Sequence, residues 1–558
     1  MKVYALSGKI GVICRDEERK AAAEFFELFK TPWEFWEAGR EYAVVLSSID
    51  PNQVPVAKLI ILCSAVQLRI DARHGFSLAA ADSEFLIDQK GQWLPIYGGL
   101  ARLQGPGIRI LNGNAGSETV GLQHSESDTN IVRLGFGLFR EAELLLGEGQ
   151  PAKNAAIPTL DHHIQLLRDY ILGAGIPLVE IPPQPAGHGL IACLTHDVDF
   201  VGIRHHVLDH TMWGFLHRAL VGSVVDLVRG RTSIRRLFRN WIAVFELPLI
   251  YLGLVRDYWD EFRRYMEIED GLTSTFFLIP FKNKAGERVP GKFASRRAAR
   301  YDIGDVPRQI AGLVERGFEV GLHAIDAWNS VDAGCRELDR IAAFTGRRAR
   351  GVRVHWLCFD GYSPATLQDA GFDYDSSRGY NEAVGYRNGT AQVFRPLGLG
   401  RLLELPLHIQ DTAMFLTNRM DLTEVEAWDS CLAVLENAMR FGGVMTILWH
   451  MRSLGPERFW GEFYIRLLEE LKIRRAWITS AGAVVDWFRE RRTVAFEECT
   501  WDGRQLKLKL SADGESARPE MVVRVHQPGR PRTGDSKEQQ SYEDHLWSGQ
   551  PSFEFRLA

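Results

Sequence analysis

Between residues 190 and 490 the chain alternates short apolar runs with longer helix-like stretches. LIACLTHD, STFFLIP, FEVGLHA, ARGVRVHW, LLELPL and VMTILWH are brief and rich in β-branched and aromatic residues, and DVPRQIAGLVERG and EVEAWDSCLAVLENAMRFGG fall between several of them. Continuous apolar strands alternating with helices predict a parallel sheet buried by helices, open or closed as a barrel. Chemistry in such folds collects at the C-terminal strand ends.

The flanks read differently. IPLVEIPPQPAGHG (176–189) holds four prolines and two glycines, a composition that suits a linker. Before it, Leu160, Ile164, Leu167 and Ile171 repeat at helical spacing, and Gly173 and Gly175 offer a stop. YAVVLSS and KLIILCSA are strand-like and DEERKAAAEFFELFK is helix-like, so an N-terminal α+β domain is expected over 1–185. After Arg492, QLKLKLS alternates Leu506, Leu508 and Leu510 with lysines; MVVRV and SFEFRL are similar, and GRPRTGDSKEQQSYED between them reads as a polar loop. The expected organisation is an α/β chain: 1–185, a barrel-forming domain over 186–495 with an insertion at about 204–268, and a small C-terminal β unit over 496–558.

Composition narrows the class. A length of 558 residues suits three or four domains, and 46% hydrophobic with 25% charged residues excludes a mainly disordered chain. The net charge of -5 and the lack of a recognisable motif argue against a nucleic-acid partner. Seven dispersed cysteines without a C-x-x-C pair argue against a disulfide framework and against a thiolate zinc site. The start has no signal-peptide pattern, so a cytoplasmic address is expected. IAVFELPLIYLGLV (242–255) is too short to span a bilayer and contains Glu246 and Pro248. The preceding stretch, Arg218 to Asn240, carries six arginines and one aspartate among apolar residues. Peripheral contact of 218–255 with an anionic membrane is one reading of this element. The other is a solvated helix pair packed on the barrel.

The strand ends carry the chemistry. LIACLTHDVDF presents Asp197 and Asp199, two apart and so on one face of a strand. FEVGLHA ends on His323, GVRVHW on Arg353 and His355, again two apart and so expected on one strand face, and VMTILWH on His450; LELPLHIQD leads to Asp411. A lone Asp after a strand is commonly a helix N-cap, and a lone His commonly a hydrogen-bonded core residue. Packing gives no reason for strands to end repeatedly in these types. Asp and His together suit a borderline divalent metal such as zinc.

These residues fall in ordered motifs that resemble the polysaccharide deacetylase (NodB homology) family of metal-dependent enzymes, which remove acetyl groups from N-acetylated sugars. THDVD (195–199) resembles the family's Thr-Phe-Asp-Asp motif, and GFEVGLHA (317–324) its Gly-His-Glu-Ile-Gly-x-His motif. GVRVHW is similar to its Arg-containing motif and ILWH (447–450) to its last Leu-x-His motif. EFFELFKTPWEF and LFREAELLL are similar to a domain of unassigned function that precedes some bacterial members. The resemblance implies a distorted (β/α) barrel, Asp197 as general base, Asp199 and His323 as metal ligands and His450 as general acid. It also implies that Arg353 orients the base and, more loosely, that Asp411 supports His450.

The chain departs from the family's pattern in three places. Val198 separates aspartates that the family has adjacent, Ala327 stands where the family has a further His, and His355 replaces a proline. His355 is the favoured third ligand to the divalent metal, expected to be Zn2+; Asp326 is an alternative, and so is the pair His206 and His210, four apart. The expected substrate is a saccharide, small or lipid-linked. Rival readings are a hydrolase of other non-peptide amides and an inactive barrel that binds saccharide or serves as a scaffold.

Overall fold

Ile191–Val198 is buried along its whole length, the condition of a central strand in a sheet covered on both faces. The computed structural model describes residues 6–51, 53, 55–80, 86–89, 91–113, 118–289, 294–512, 519–528 and 542–556. They divide into two compact units, one of 1–187, 388–398 and 486–558 and one of 188–387 and 399–485.

In the second unit, nine strands form a sheet whose pairings are all parallel among the described residues. From one edge the order is Leu403–Glu404, Tyr374–Asp375, Gly351–Val354, Glu319–Ala324, Thr275–Leu278, Ile191–Val198, Val444–Leu448 and Ile409–Gln410, with Trp477–Thr479 also on Ile191–Val198. The sheet curls, and one stretch of chain meets both of its edges. Leu405 N donates to Asp375 O (2.8 Å) and Leu407 N to Arg378 O (3.1 Å), and then His408 N donates to Thr446 O (3.2 Å) on the opposite edge. The expected LLELPL strand is therefore short. Pro406 cannot donate to a ladder, and the chain crosses between edges there.

The helices follow their start and stop signals. Glu424–Phe441 opens with a capping box between Thr423 and Glu426 and ends at Gly442 (φ 78°). Pro307–Glu315 begins with proline at its first turn, where the missing N–H costs nothing. The insertion after the first strand is helical: His210–His217 runs on through 218–222 into Ser223–Val228, followed by Ile234–Tyr251 and Phe262–Ile268. Ile203, Phe215, Ala219, Ala243, Leu247, Ile250 and Trp259 form its buried cluster. No described helix is long and apolar enough to cross a membrane.

In the first unit, Leu6–Ile13, Tyr42–Ser47, Ala57–Cys63 and Thr129–Leu134 lie parallel at the centre of a larger sheet. The strands after Arg492 extend this sheet. Ala495–Trp501 pairs antiparallel with Leu6–Ile13, then Gln505–Ser511 and Ser552–Arg556 follow outward. They cover what would otherwise be an open sheet edge. Leu506, Leu508 and Leu510 are buried and the lysines between them exposed, as their alternation predicts. Met521–His526 and Tyr542–Trp547 instead join Leu178–Glu180 in a three-stranded sheet. Most of the polar stretch expected as a loop, 529–541, lies outside the described residues.

Candidate metal centre and catalytic cleft

The alternation of Ile191–Val198 decides which of its polar residues share a side. His196 turns away: its Nε2 lies 2.8 Å from Glu269 Oε1 and its Nδ1 2.8 Å from the Trp449 carbonyl, a buried core histidine. Thr195, Asp197 and Asp199 take the other side. Arg353, fully buried on Gly351–Val354, three strands along the curled sheet, faces them. Its Nη1 donates to Thr195 Oγ1 (2.8 Å) and Asp197 Oδ1 (3.2 Å), and Nε and Nη2 donate to the Ser376 carbonyl and hydroxyl (2.8 and 2.7 Å). The guanidinium therefore fixes one oxygen of Asp197.

Beside Asp197, three ligand-type atoms form a triangle. Asp199 Oδ1 is 3.1 Å from His323 Nε2 and 3.1 Å from His355 Nδ1, and the two ring nitrogens are 2.9 Å apart. The tautomers follow from the far side of each ring. His323 Nδ1 lies 3.0 Å from the Arg353 carbonyl and His355 Nε2 lies 3.0 Å from the Arg297 carbonyl. A carbonyl only accepts, so each outer nitrogen carries the hydrogen. Both inner nitrogens of the neutral rings then present lone pairs, and a carboxylate oxygen presents a third. Burial lowers the proton affinity of His355. Were the rings protonated instead, His355 and His323 would outweigh the effect of burial and hold the Asp199 carboxyl well below the usual range. Three converging acceptors without a shared hydrogen repel one another, and a cation relieves this; Asp199, His323 and His355 are a donor set that could hold a divalent metal.

His450 closes the opposite side. Its Nε2 is 3.7 Å from Asp199 Oδ2, and its Nδ1 is 2.6 Å from Asp411 Oδ1. The other Asp411 oxygen accepts from the His450 backbone N–H (2.8 Å) and the Ser453 hydroxyl. Burial alone would lower the His450 pKa, but the Asp411 carboxylate outweighs it and raises it; burial raises Asp411, and His450 outweighs that and lowers it. Asp411 opens the short helix Asp411–Phe415 and is fully buried, so it reaches the cleft only through His450.

The structure thus brings Asp197, Asp199, His323, His355 and His450 to one cleft of about 180 Å³, with Arg353 and Asp411 directly behind Asp197 and His450. Three sequence expectations need correction. The strand carrying Arg353 ends at Val354, so His355 does not continue its face but enters from a turn in which Trp356 and Leu357 adopt left-handed backbone (φ 66° and 54°). His206 and His210 do not share a helix, because Asp209 caps the helix that starts at His210 and also holds His206 Nδ1 (2.8 Å). His206 packs on Phe200 and Trp259 instead. Asp326 lines a different cavity, where its Oδ1 accepts from Glu287 N (2.8 Å).

Several site residues carried no sequence signal. Trp356, Asn381, Gln410, Arg419 and Arg458 also line the cleft. Arg297, 1% exposed, lies behind His355 in a segment without strand or helix periodicity. Only its bonds in the folded chain reveal it.

No family model matches the chain, and no curated protein matches it. In structure comparison it is similar to polysaccharide deacetylases and CE4 family members. A candidate polysaccharide deacetylase from Mycobacterium smegmatis matches at 18% identity over 55% of this chain and 94% of that one (TM-score 0.33). Agd3, a carbohydrate deacetylase, matches at 10% identity over 99% of both chains (TM-score 0.38). BA3943, a CE4 family pseudoenzyme from Bacillus anthracis, matches at 12% identity over 55% of this chain and 70% of that one (TM-score 0.24).

Proposed function

We propose that this chain is a metal-dependent hydrolase that removes the acetyl group from an N-acetylated saccharide, on a distorted (β/α) barrel of the polysaccharide deacetylase kind. The observation that carries the reading is the triangle of Asp199 Oδ1, His323 Nε2 and His355 Nδ1, with edges of 2.9–3.1 Å. Metal–ligand bonds of about 2.0–2.1 Å place neighbouring ligands roughly 3 Å apart, and three protein ligands with an open position suit catalytic zinc.

Zinc bound there would polarise the acetamide carbonyl and lower the pKa of a water. The chain's own residues supply the proton transfers. Asp197, oriented by Arg353, takes a proton from the attacking water as its oxygen bonds to the carbonyl carbon. The C–N bond then breaks, and the nitrogen leaves as an amine only if it gains a proton. Asp411 accepts the Nδ1 hydrogen of His450, so Nε2 faces the cleft and can give that proton once the ring is protonated. The products are acetate and the free amino sugar. The saccharide class rests on the motif resemblance and on the cleft wall, where the half-exposed Trp356 ring stands with Asn381, Gln410 and Arg419, an aromatic face with polar groups for hydroxyls.

The test is zinc titration of purified protein together with acetate release from N-acetylated oligosaccharides. Stoichiometric zinc with zinc-dependent release supports the reading. Zinc binding without hydrolysis favours the inactive barrel, and no zinc binding refutes the metal centre.

A further inference from the structure

We propose that the helical hairpin 210–251 docks on an anionic lipid surface, an inference that stands apart from the hydrolase reading. Its second helix is apolar on two faces. Leu237, Ala243, Leu247 and Ile250 are buried, while Ile234, Phe238, Ile242, Phe245 and Leu249 are exposed at spacings of three and four. The buried face accounts for folding; the exposed stripe does not. The first helix adds Val221, Val224 and Val228, and Val228 and Phe245 are 83% and 79% exposed. More than half of the exposed large hydrophobic residues described lie between 207 and 254. Exposed apolar residues concentrated in this way mark a contact site.

Charge identifies the occupant. Arg229 and Arg235 are exposed around the turn between the helices, and Arg239, also exposed, lies over the Phe459 ring. Arg218, Arg231 and Arg236 face the rest of the unit, paired with Glu457, with Asp421, and with Glu424 and Glu462. The charged residues bordering the outer stripe are thus mainly basic, Arg229, Arg235 and Arg239 against Glu246. An apolar stripe with a basic border fits the headgroup and acyl boundary of an anionic bilayer, and neither helix is long and apolar enough to span it. A second copy fits less well, since a two-fold interface would set the same arginines against each other.

Co-sedimentation with vesicles of phosphatidylcholine, alone or mixed with phosphatidylglycerol, tests this on the full chain. Binding is expected only to the mixed vesicles, weakening at high salt. It should fall at least tenfold in Phe238→Ser/Phe245→Ser and in Arg229→Glu/Arg235→Glu, with unchanged thermal unfolding because all four side chains are exposed. No sedimentation, or sedimentation that survives both double variants, overturns the proposal. A dimer in vesicle-free solution that Phe238→Ser/Phe245→Ser abolishes would assign the face to a second copy and also overturn it.

Discussion

Arg297 and His355 hold each other from both ends. The Arg297 carbonyl accepts the Nε2 hydrogen of His355 (3.0 Å), and the Arg297 guanidinium donates to the His355 carbonyl through Nε (3.1 Å) and Nη2 (2.9 Å). One contact sets the tautomer of the ring and the other sets the backbone of the turn that delivers it. The same guanidinium donates to the Ala285 and Ile325 carbonyls (2.6 and 2.9 Å), tying the turn to two neighbouring segments. Arg297 is thus a positioning residue for the candidate third ligand. Arg297→Ala should weaken zinc binding about 10–100-fold, the usual scale for loss of an outer-shell partner. Arg297→Lys should recover part of the affinity. Zinc titration at a temperature where circular dichroism shows each variant folded checks this, and full affinity in the alanine variant would remove the role.

The ligand and the base should fail differently. Asp199→Ala removes one corner of the triangle and should abolish zinc binding. Asp197→Asn keeps the triangle and should retain zinc while losing acetate release by several orders of magnitude. Metal content and activity measured on the same samples separate the two. Equal zinc in wild type and Asp199→Ala would show that the metal lies elsewhere.

His355 is separable from its rivals. His355→Ala should lower zinc affinity by at least 10–100-fold, since losing a ligand costs more than losing its support. Asp326→Ala and His206→Ala should leave it unchanged, because Asp326 holds the Glu287 backbone in another cavity and His206 packs on Phe200 and Trp259. A drop in either of the latter with none in His355→Ala would reverse the assignment.

Six of the nine strands of the parallel sheet were legible as short, largely apolar runs, and Asp197, Asp199, His323 and His450 were legible because they stand where those runs end; Tyr374–Asp375, Ile409–Gln410 and Trp477–Thr479 are too short to show as runs. His355 was legible as a residue but not as a geometry. Strand alternation would place it beside Arg353, whereas it arrives through a left-handed turn at Trp356, a conformation that non-glycine sequence does not announce. Arg297 was illegible because buried arginine bonded to carbonyls follows no periodicity. The outer strands were misread for a similar reason. The alternation of 506, 508 and 510 shows that one face is buried but not what covers it, and the strand on which Ala495–Trp501 and then Gln505–Ser511 build, Leu6–Ile13, lies at the other end of the chain.

Asp161 makes stability pH-dependent in the first unit. Its buried carboxyl accepts from Thr390 Oγ1 (2.7 Å) and Ala391 N (3.0 Å), fastening 388–398 to the helix Thr159–Gly173. Burial pushes its pKa up to about 7 despite these donors. A carboxyl raised above its unfolded value of about 3.9 stabilises the fold fully below that value. The contribution is lost as pH rises towards about 7. The loss is on the order of a few kcal/mol. Urea unfolding of wild type and Asp161→Asn across this range should therefore show the stability difference shrinking with pH. Parallel curves would mean that Asp161 stays ionised in the folded chain.

Trp356 combines strain with exposure. Its backbone lies at φ 66°, ψ 14°, and Leu357 follows at φ 54°. Bulky residues held there cost about 1–3 kcal/mol each, so the surrounding structure must hold the turn. Arg297 grips the carbonyl before it, and Asn381 Nδ2 donates to the Trp356 carbonyl (3.1 Å). A glycine would adopt this backbone without cost, yet the position carries an indole that is 40% exposed in the cleft wall. A ring kept in a strained position without burial points to contact with substrate. Trp356→Ala and Trp356→Gly should both raise KM roughly tenfold, equivalent to about 1.4 kcal/mol, with kcat and zinc affinity little changed. They should differ in stability. The glycine variant relieves the left-handed strain and should unfold at a higher temperature than the alanine variant. Equal KM in wild type and both variants would leave the ring without a role in binding. Equal stability of the two would show that the turn, and not the side chain, sets the cost.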